Sequence, residues 1–292
     1  MEQQTPNNQI GNNTNPLKKY YRQPKQFVRL PSGYAYYPAG SIDVPESGEV
    51  AVYPMTAKDE LLFKTPDALL NGEATVSVIQ SCIPAIKNAW QMPSLDIDAC
   101  LIAIRMATYG TSMSVSARVP GTDIDKDFEI SLQTALDSLM SARYNDTVLV
   151  NNMEIKTQPL NYSQFTKMAI KSFEEQRISE TVRNQDMPEE EKVARFQQSL
   201  TKLTDLNVSM VTDTIHSITV DGETVSNRQH IKEFIENADK QFYQSLLNHL
   251  EAQRNAFVIQ PMKITATEDE VKAGAPKTYD LPIQFDTANF FA

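Results

Sequence analysis

Residues 54–110 read PMTAKDELLFKTPDALLNGEATVSVIQSCIPAIKNAWQMPSLDIDACLIAIRMATYG, and this stretch sets the fold class. Thr56 stands three residues before Asp59, ahead of the apolar run Leu61-Leu62-Phe63. That spacing predicts a capping box with an acidic first turn, which suits the positive end of a helix. Thr65-Pro66-Asp67 repeats the signal: an N-cap, then Pro at the first helical position, opening a turn over Ala68–Asn71 that Gly72 can end. Glu73–Ile83 carries Val76, Ile79 and Ile83 at three-four spacing, and Pro84 limits it. Pro93-Ser94-Leu95-Asp96 starts a further helix, with Ile97, Leu101, Ile104 and Tyr109 on its buried side and Gly110 as its stop. Short helices joined by brief loops predict a compact helical unit.

β-type patterns flank this unit. Upstream, Phe27–Leu30, Tyr34–Tyr37 and Val50–Tyr53 are short runs punctuated by Pro and Gly, which predicts an extended segment or small hairpin. Downstream, Met113, Val115, Ala117 and Val119 alternate with polar residues, and Phe128, Ile130 and Leu132 alternate again. A hairpin leading into a helix near 133–143 follows. Val148–Val150 and Met153–Thr157 flank Asn151-Asn152, a second hairpin signal. From Tyr162 to about residue 206 the chain reads as two helices interrupted at Met187-Pro188, forming a hairpin or a bent rod. In the first of these, Phe165, Met168, Phe173 and Ile178 keep mixed helical spacings. Asn207–Thr219 is ambiguous between helix and strand by length alone, and Asp221-Gly222 is a turn. Helices are predicted over 227–237 and onward through Phe242, Leu246 and Leu250. The C-terminal part returns to β character at Phe257–Ile259, Lys263–Ala266 and Tyr279–Phe285, with Glu268–Pro276 as an acidic loop.

The expected fold class is therefore α+β: compact helical units with short antiparallel hairpins and a flexible N-terminal arm. The expected division is a basic arm over 1–26, a helical unit with flanking hairpins over 27–158, and long helices with a C-terminal β segment over 159–292. The arm is rich in Asn, Gln and Pro and ends in Lys18, Lys19, Arg22 and Lys25. It reads either as a solvated tail or as a docking arm. Phe290-Phe291 stand just before the last residue, Ala292, and are expected to dock into the fold or a partner. Lys18, Lys19, Arg22, Phe290 and Phe291 are thus the candidate partner-binding residues.

The composition narrows the function. Lys and Arg number 27 against 37 Asp and Glu, a net charge of -10 that disfavours nucleic acid as the main ligand. The polar start Met1–Asn15 is no signal peptide, and no apolar run approaches the ~18–20 residues of a membrane span. Cys82 and Cys100 fit a reducing compartment, and the chain is expected to be cytosolic when made. His216, His230 and His249 pair with no Cys or carboxylate at metal-ligand spacing. Asp123, Asp125 and Asp127 alternate, but the run lacks the glycine and the bidentate Glu of an EF-hand and reads as a solvated acidic loop. No motif for a nucleophile elbow, zinc protease, phosphate loop or dinucleotide fold occurs, and glycine is scarce at 9 residues. No enzyme activity, metal or cofactor is expected.

Five segments taken together resemble one family. They are PMTAKDELLFKTPDALLNGEA (54–74), VIQSCIP (78–84), PSLDIDACLIAIRMATYG (93–110), HIKEFIENAD (230–239) and YDLPIQFDTANFF (279–291). In family order, they resemble the T4-type baseplate hub and hub-assembly proteins of contractile-tailed bacteriophages; the arm is not covered. Many relatives carry cysteine pairs in the hairpin corresponding to 117–130, where this sequence has none, so no structural zinc is implied here. The resemblance implies a non-catalytic role in building the baseplate hub, as an assembly factor or chaperone for hub or tape-measure proteins. The alternative is a permanent structural subunit of the virion baseplate. Implied partners are phage tail proteins, without a small-molecule substrate, a membrane or nucleic acid. The implied location is the host cytoplasm during assembly, or the virion tail baseplate.

Overall fold

The computed structural model describes residues 15–65, 72–184 and 188–283, without the side chains of 179–184. After a short 3-10 turn at Pro16–Tyr20, β1 (Gln26–Val28) pairs antiparallel with β2 (Val50–Val52). The Tyr34–Tyr37 run between them is a chain of turns and not a strand. Tyr34 and Tyr36 have φ of 69° and 66°, a left-handed conformation that no strand accommodates. Their neighbours' hydroxyl bonds explain this path: Tyr34 donates to Gly48 O at 2.7 Å and Tyr37 to Asp96 Oδ2 at 3.0 Å.

The capping box forms as the spacing predicts. In α1 (Ala57–Phe63) the Asp59 N–H donates to Thr56 Oγ1, and the Thr56 N–H donates back to Asp59 Oδ2 at 2.8 Å. The turn expected over Ala68–Asn71 lies outside the described residues. Next come α2 (Glu73–Cys82) and α3 (Ile97–Tyr109), which Gly110 ends at φ 103°. Helix α3 is enclosed: Ala99, Cys100, Ile102, Ala103 and Ile104 have no exposed surface. Tyr109, expected on its buried side, is instead 45% exposed. It lies beyond the last buried turn, where its hydroxyl donates to Glu60 Oε1 and its ring meets Arg105.

β3 (Ser112–Arg118) and β4 (Asp125–Ser131) form the predicted hairpin, and Ser131 caps α4 (Leu132–Ser141). Asp125 and Asp127 belong to β4 and not to a loop; Arg118 pairs with Asp123 and Asp125, and Ser116 donates to Asp127. β5 (Thr147–Val150) and β6 (Met153–Thr157) turn at Asn151-Asn152, both with positive φ, the geometry of a two-residue hairpin. Two long helices follow, α5 (Tyr162–Asn184) and α6 (Glu189–Thr214). The ambiguous stretch divides at Thr214: helix before it, and β7 (Ile215–Val220) after it, paired through Asp221-Gly222 with β8 (Glu223–Val225). The four-stranded antiparallel sheet runs β5-β6-β7-β8. Asn227 caps α7 (Arg228–Asn237) and Asp239 caps α8 (Lys240–Ala256), and both helices lie where the sequence predicts helix.

Phe257–Ile259 forms no strand. The Phe257 N–H donates to Arg254 O, closing α8 with a turn. β9 (Met262–Thr265) pairs with β10 (Thr278–Leu281). Between them the expected acidic loop contains α9 (Glu268–Lys272), started by a Thr267–Glu270 capping box. The described residues are thus mixed α+β, with helices and small antiparallel sheets.

Three apolar cores hold these elements. The largest packs β1, β2, α1, α2 and α4 around α3. The second joins the four-stranded sheet to α7 and α8 through Val150, Ile155, Ile218, Ile231, Ile235, Phe242 and Leu246. The third places Val119 and Phe128 of the β3–β4 hairpin against Ala275, Tyr279 and Leu281. There the two backbones meet at glycines: a Cβ on Gly121 would lie 2.7 Å from Gly274 O, and one on Gly274 would lie 2.9 Å from Gly121 O. Lys126 bridges the same contact to Glu270 at 2.8 Å.

One buried carboxylate shapes the first core. Asp96, at the start of α3, has no exposed surface and accepts from the Ser32 N–H (2.8 Å), Ser32 Oγ (2.6 Å) and Tyr37 OH (3.0 Å). Burial pushes its carboxyl from 3.8 up to about 6, against the pull of those three donors. A raised acid pKa stabilises the fold below the unfolded value, and that contribution is lost as pH rises through the folded value. The stability of the native chain relative to Asp96→Asn is therefore expected to be greatest near pH ~4 and to shrink by on the order of 3 kcal/mol by pH ~7. Urea unfolding of both proteins across that range tests this; a pH-independent difference refutes it.

Candidate partner interface

The candidate residues near the N-terminus do not share one environment. Arg22 points inward. Its guanidinium donates to Pro54 O at 2.5 Å, Ser81 O at 2.7 Å and Ser81 Oγ at 2.8 Å, and reaches Asp59 Oδ2 at 3.3 Å. The same Asp59 oxygen accepts from Thr56 and from Ser81 Oγ, so one buried carboxylate joins the arm, α1 and α2. Lys18 and Lys19 point outward, beside exposed Leu17, Tyr20 and Tyr21. Phe290 and Phe291 lie outside the described residues.

A second exposed surface was not among the candidates. α5 and α6 pack side by side as a helical hairpin: Glu175 of α5 accepts from Ser199 Oγ (2.6 Å) and Lys202 Nζ (3.0 Å) of α6. Those two bonds hold the Glu175 carboxyl below its ordinary range. The hairpin leaves large apolar side chains partly in solvent: Phe165, Phe173 and Ile178 on α5, Val193 and Leu200 on α6. Phe173 is 61% exposed and Leu200 54%. The sequence carried the signal as the mixed spacing of Phe165, Phe173 and Ile178. A helix apolar on several faces needs more than one neighbour to cover it, and α6 supplies one.

The chemistry elsewhere is structural. Burial, with Asp59 second, pushes the Cys82 thiol up to about 12, and burial also raises that of Cys100, so neither is a ready nucleophile. His249 lies 3.5 Å from Thr157 Oγ1, and burial lowers its pKa. An open cleft lined by Tyr36, Asp146, Lys156, Thr157, Gln158 and His216 mixes both charge signs. Among the described residues, no group of three or more His, Cys, Asp or Glu is placed to hold a metal ion. No helix among them is long and apolar enough to cross a membrane.

A family model described as T4 bacteriophage base plate protein matches residues 38–272, well over half of the chain. The match spans the second apolar core, parts of the other two and the whole helical hairpin; it begins after the basic segment and ends before β10. No curated protein and no solved structure matches the chain.

Arg22 is placed to anchor the N-terminal segment. Arg22→Ala leaves Asp59 and two carbonyls short of a donor and is expected to cost about 2 kcal/mol. The freed segment should also be cut by trypsin at Lys18 and Lys19 faster than in the native chain. Unchanged denaturation and unchanged cleavage would show that Arg22 anchors nothing.

Proposed function

As the chain belongs to the T4 bacteriophage base plate protein family, we propose that it is a non-catalytic assembly factor of the baseplate hub. Its role is in the phage baseplate, and its partners are other phage tail proteins. In this reading it binds hub or tape-measure proteins in the host cytoplasm and is released, or only partly retained, in the virion. The uncovered apolar residues along the α5–α6 hairpin carry the proposal. Large side chains such as Phe173 and Leu200 lose water contact only when another protein covers them. A long helical partner suits such a surface, because its side chains can lie along the two helices and fill the gaps between Phe165, Phe173, Val193 and Leu200. No residue constellation among the described residues supports catalysis.

Quantitative mass spectrometry separates the assembly factor from a permanent subunit. The chain is expected in infected-cell complexes holding hub or tape-measure protein, and absent or well below one copy per hub in purified virions. A small fixed ratio to a known baseplate subunit would make it a permanent component. The double variant Phe173→Ser, Leu200→Ser should change stability by less than about 1 kcal/mol, since both side chains are already in solvent, yet lose the complex. Complexes recovered at native yield would remove the hairpin from the reading.

A further inference from the structure

From Gln3 to Ile42 the sequence has no Asp or Glu, yet it holds five cations, Lys18, Lys19, Arg22, Lys25 and Arg29, in a chain of net charge -10. The structure sorts them. Arg22 is the inward anchor; Lys18, Lys19, Lys25 and Arg29 face solvent. Among the described residues, only Arg29 of these four has an acidic partner within ion-pair distance, Glu49 at 3.7 Å, and it remains 68% exposed. Apolar and aromatic side chains are interleaved with the cations. Leu17, Tyr20, Tyr21 and Phe27 are 57–74% exposed, and Lys19 Nζ sits 5.0 Å from the centre of the Tyr20 ring. The segment is held in shape without a partner. Asn15 accepts from the Leu17 N–H, Arg22 fixes the chain to α1 and α2, and the Lys25 N–H donates to Val52 O.

We propose that residues 16–29 form a preorganised docking surface for an acidic, leucine-bearing segment of another tail protein. The baseplate reading supplies only the origin of that partner. The surface supplies its chemistry: carboxylates to meet four exposed cations, and apolar side chains to meet Leu17, Tyr20, Tyr21 and Phe27. A polynucleotide fits less well. Four cations release few counterions, and the acidic remainder of the chain repels a continuous polyanion. The family match begins at residue 38, so this surface lies outside the matched region.

The test uses the full chain and fluorescence anisotropy at physiological ionic strength. One probe is a labelled peptide of alternating Glu and Leu; the other is a labelled oligodeoxythymidine of equal length. The peptide should bind the native chain more tightly than the DNA does. Lys18→Glu with Lys19→Glu should weaken it by about tenfold or more, while the exposed Lys277→Glu should leave it unchanged. Thermal melting confirms that each variant is folded. Equal or tighter DNA binding overturns the proposal in favour of nucleic acid, and absence of peptide binding overturns it outright. Sedimentation in which only the native chain self-associates would assign the surface to the acidic body of a second copy, and would overturn it too. The virion measurement is independent, so failure there would leave this result standing.

Discussion

Helix α3 is buried on all but a narrow strip that holds Asp98, Arg105 and Tyr109, and most of the fold follows from that. Ala99, Cys100, Ile102, Ala103 and Ile104 surrender all contact with water, so neighbours must supply apolar cover around the rest of the helix. The cover comes from β1 and β2, from α2, and from α4. Each large aliphatic side chain so enclosed contributes about 1.5–3 kcal/mol, which makes this helix the strongest organiser in the chain. Its enclosure creates a polar problem at its start, where Asp96 is sealed inside. Ser32 and Tyr37 solve it with three hydrogen bonds, and in doing so they bend residues 32–37 into turns. The buried helix thus dictates even the backbone of a loop 59 to 64 positions earlier.

This explains which elements were legible in the sequence. Signals that act within a few residues read correctly: the Thr56–Asp59 capping box, the helices over 227–237 and through Phe242, and the turns at Asn151-Asn152 and Asp221-Gly222. The misread elements depend on distant partners. Tyr34–Tyr37 has the composition of a strand, but its hydroxyls answer to Gly48 and Asp96. Phe257–Ile259 is an apolar run like a strand, but none of the described strands pairs with it. Thr267–Glu270 was a local signal hidden by its acidic setting, since a run of carboxylates resembles a loop until one of them turns back to cap the chain.

The interface residues divide in the same way. Charge marked Lys18, Lys19 and Arg22 alike, because sequence shows sign and not direction. Only the fold shows that Arg22 is consumed by Ser81, Pro54 and Asp59 while its neighbours stay in solvent. The hairpin residues were visible as irregular spacing along 165–178. That irregularity weakens a helix prediction, and in the structure it leaves Phe165, Phe173 and Ile178 in solvent although α6 packs beside them.

The glycine contact between residues 121 and 274 bears on how the chain is made. Lys126 and Glu270, which brace it, are 144 positions apart. During synthesis the β3–β4 hairpin leaves the ribosome long before its cover does. Val119 and Phe128 therefore wait uncovered until Ala275, Tyr279 and Leu281 emerge. Closing so long a loop comes late on entropic grounds, and it comes at a seam where neither backbone tolerates a methyl group. Translation that stops short of residue 275 would release a chain with its main core built and one hairpin face still sticky, a natural target for the host's quality control.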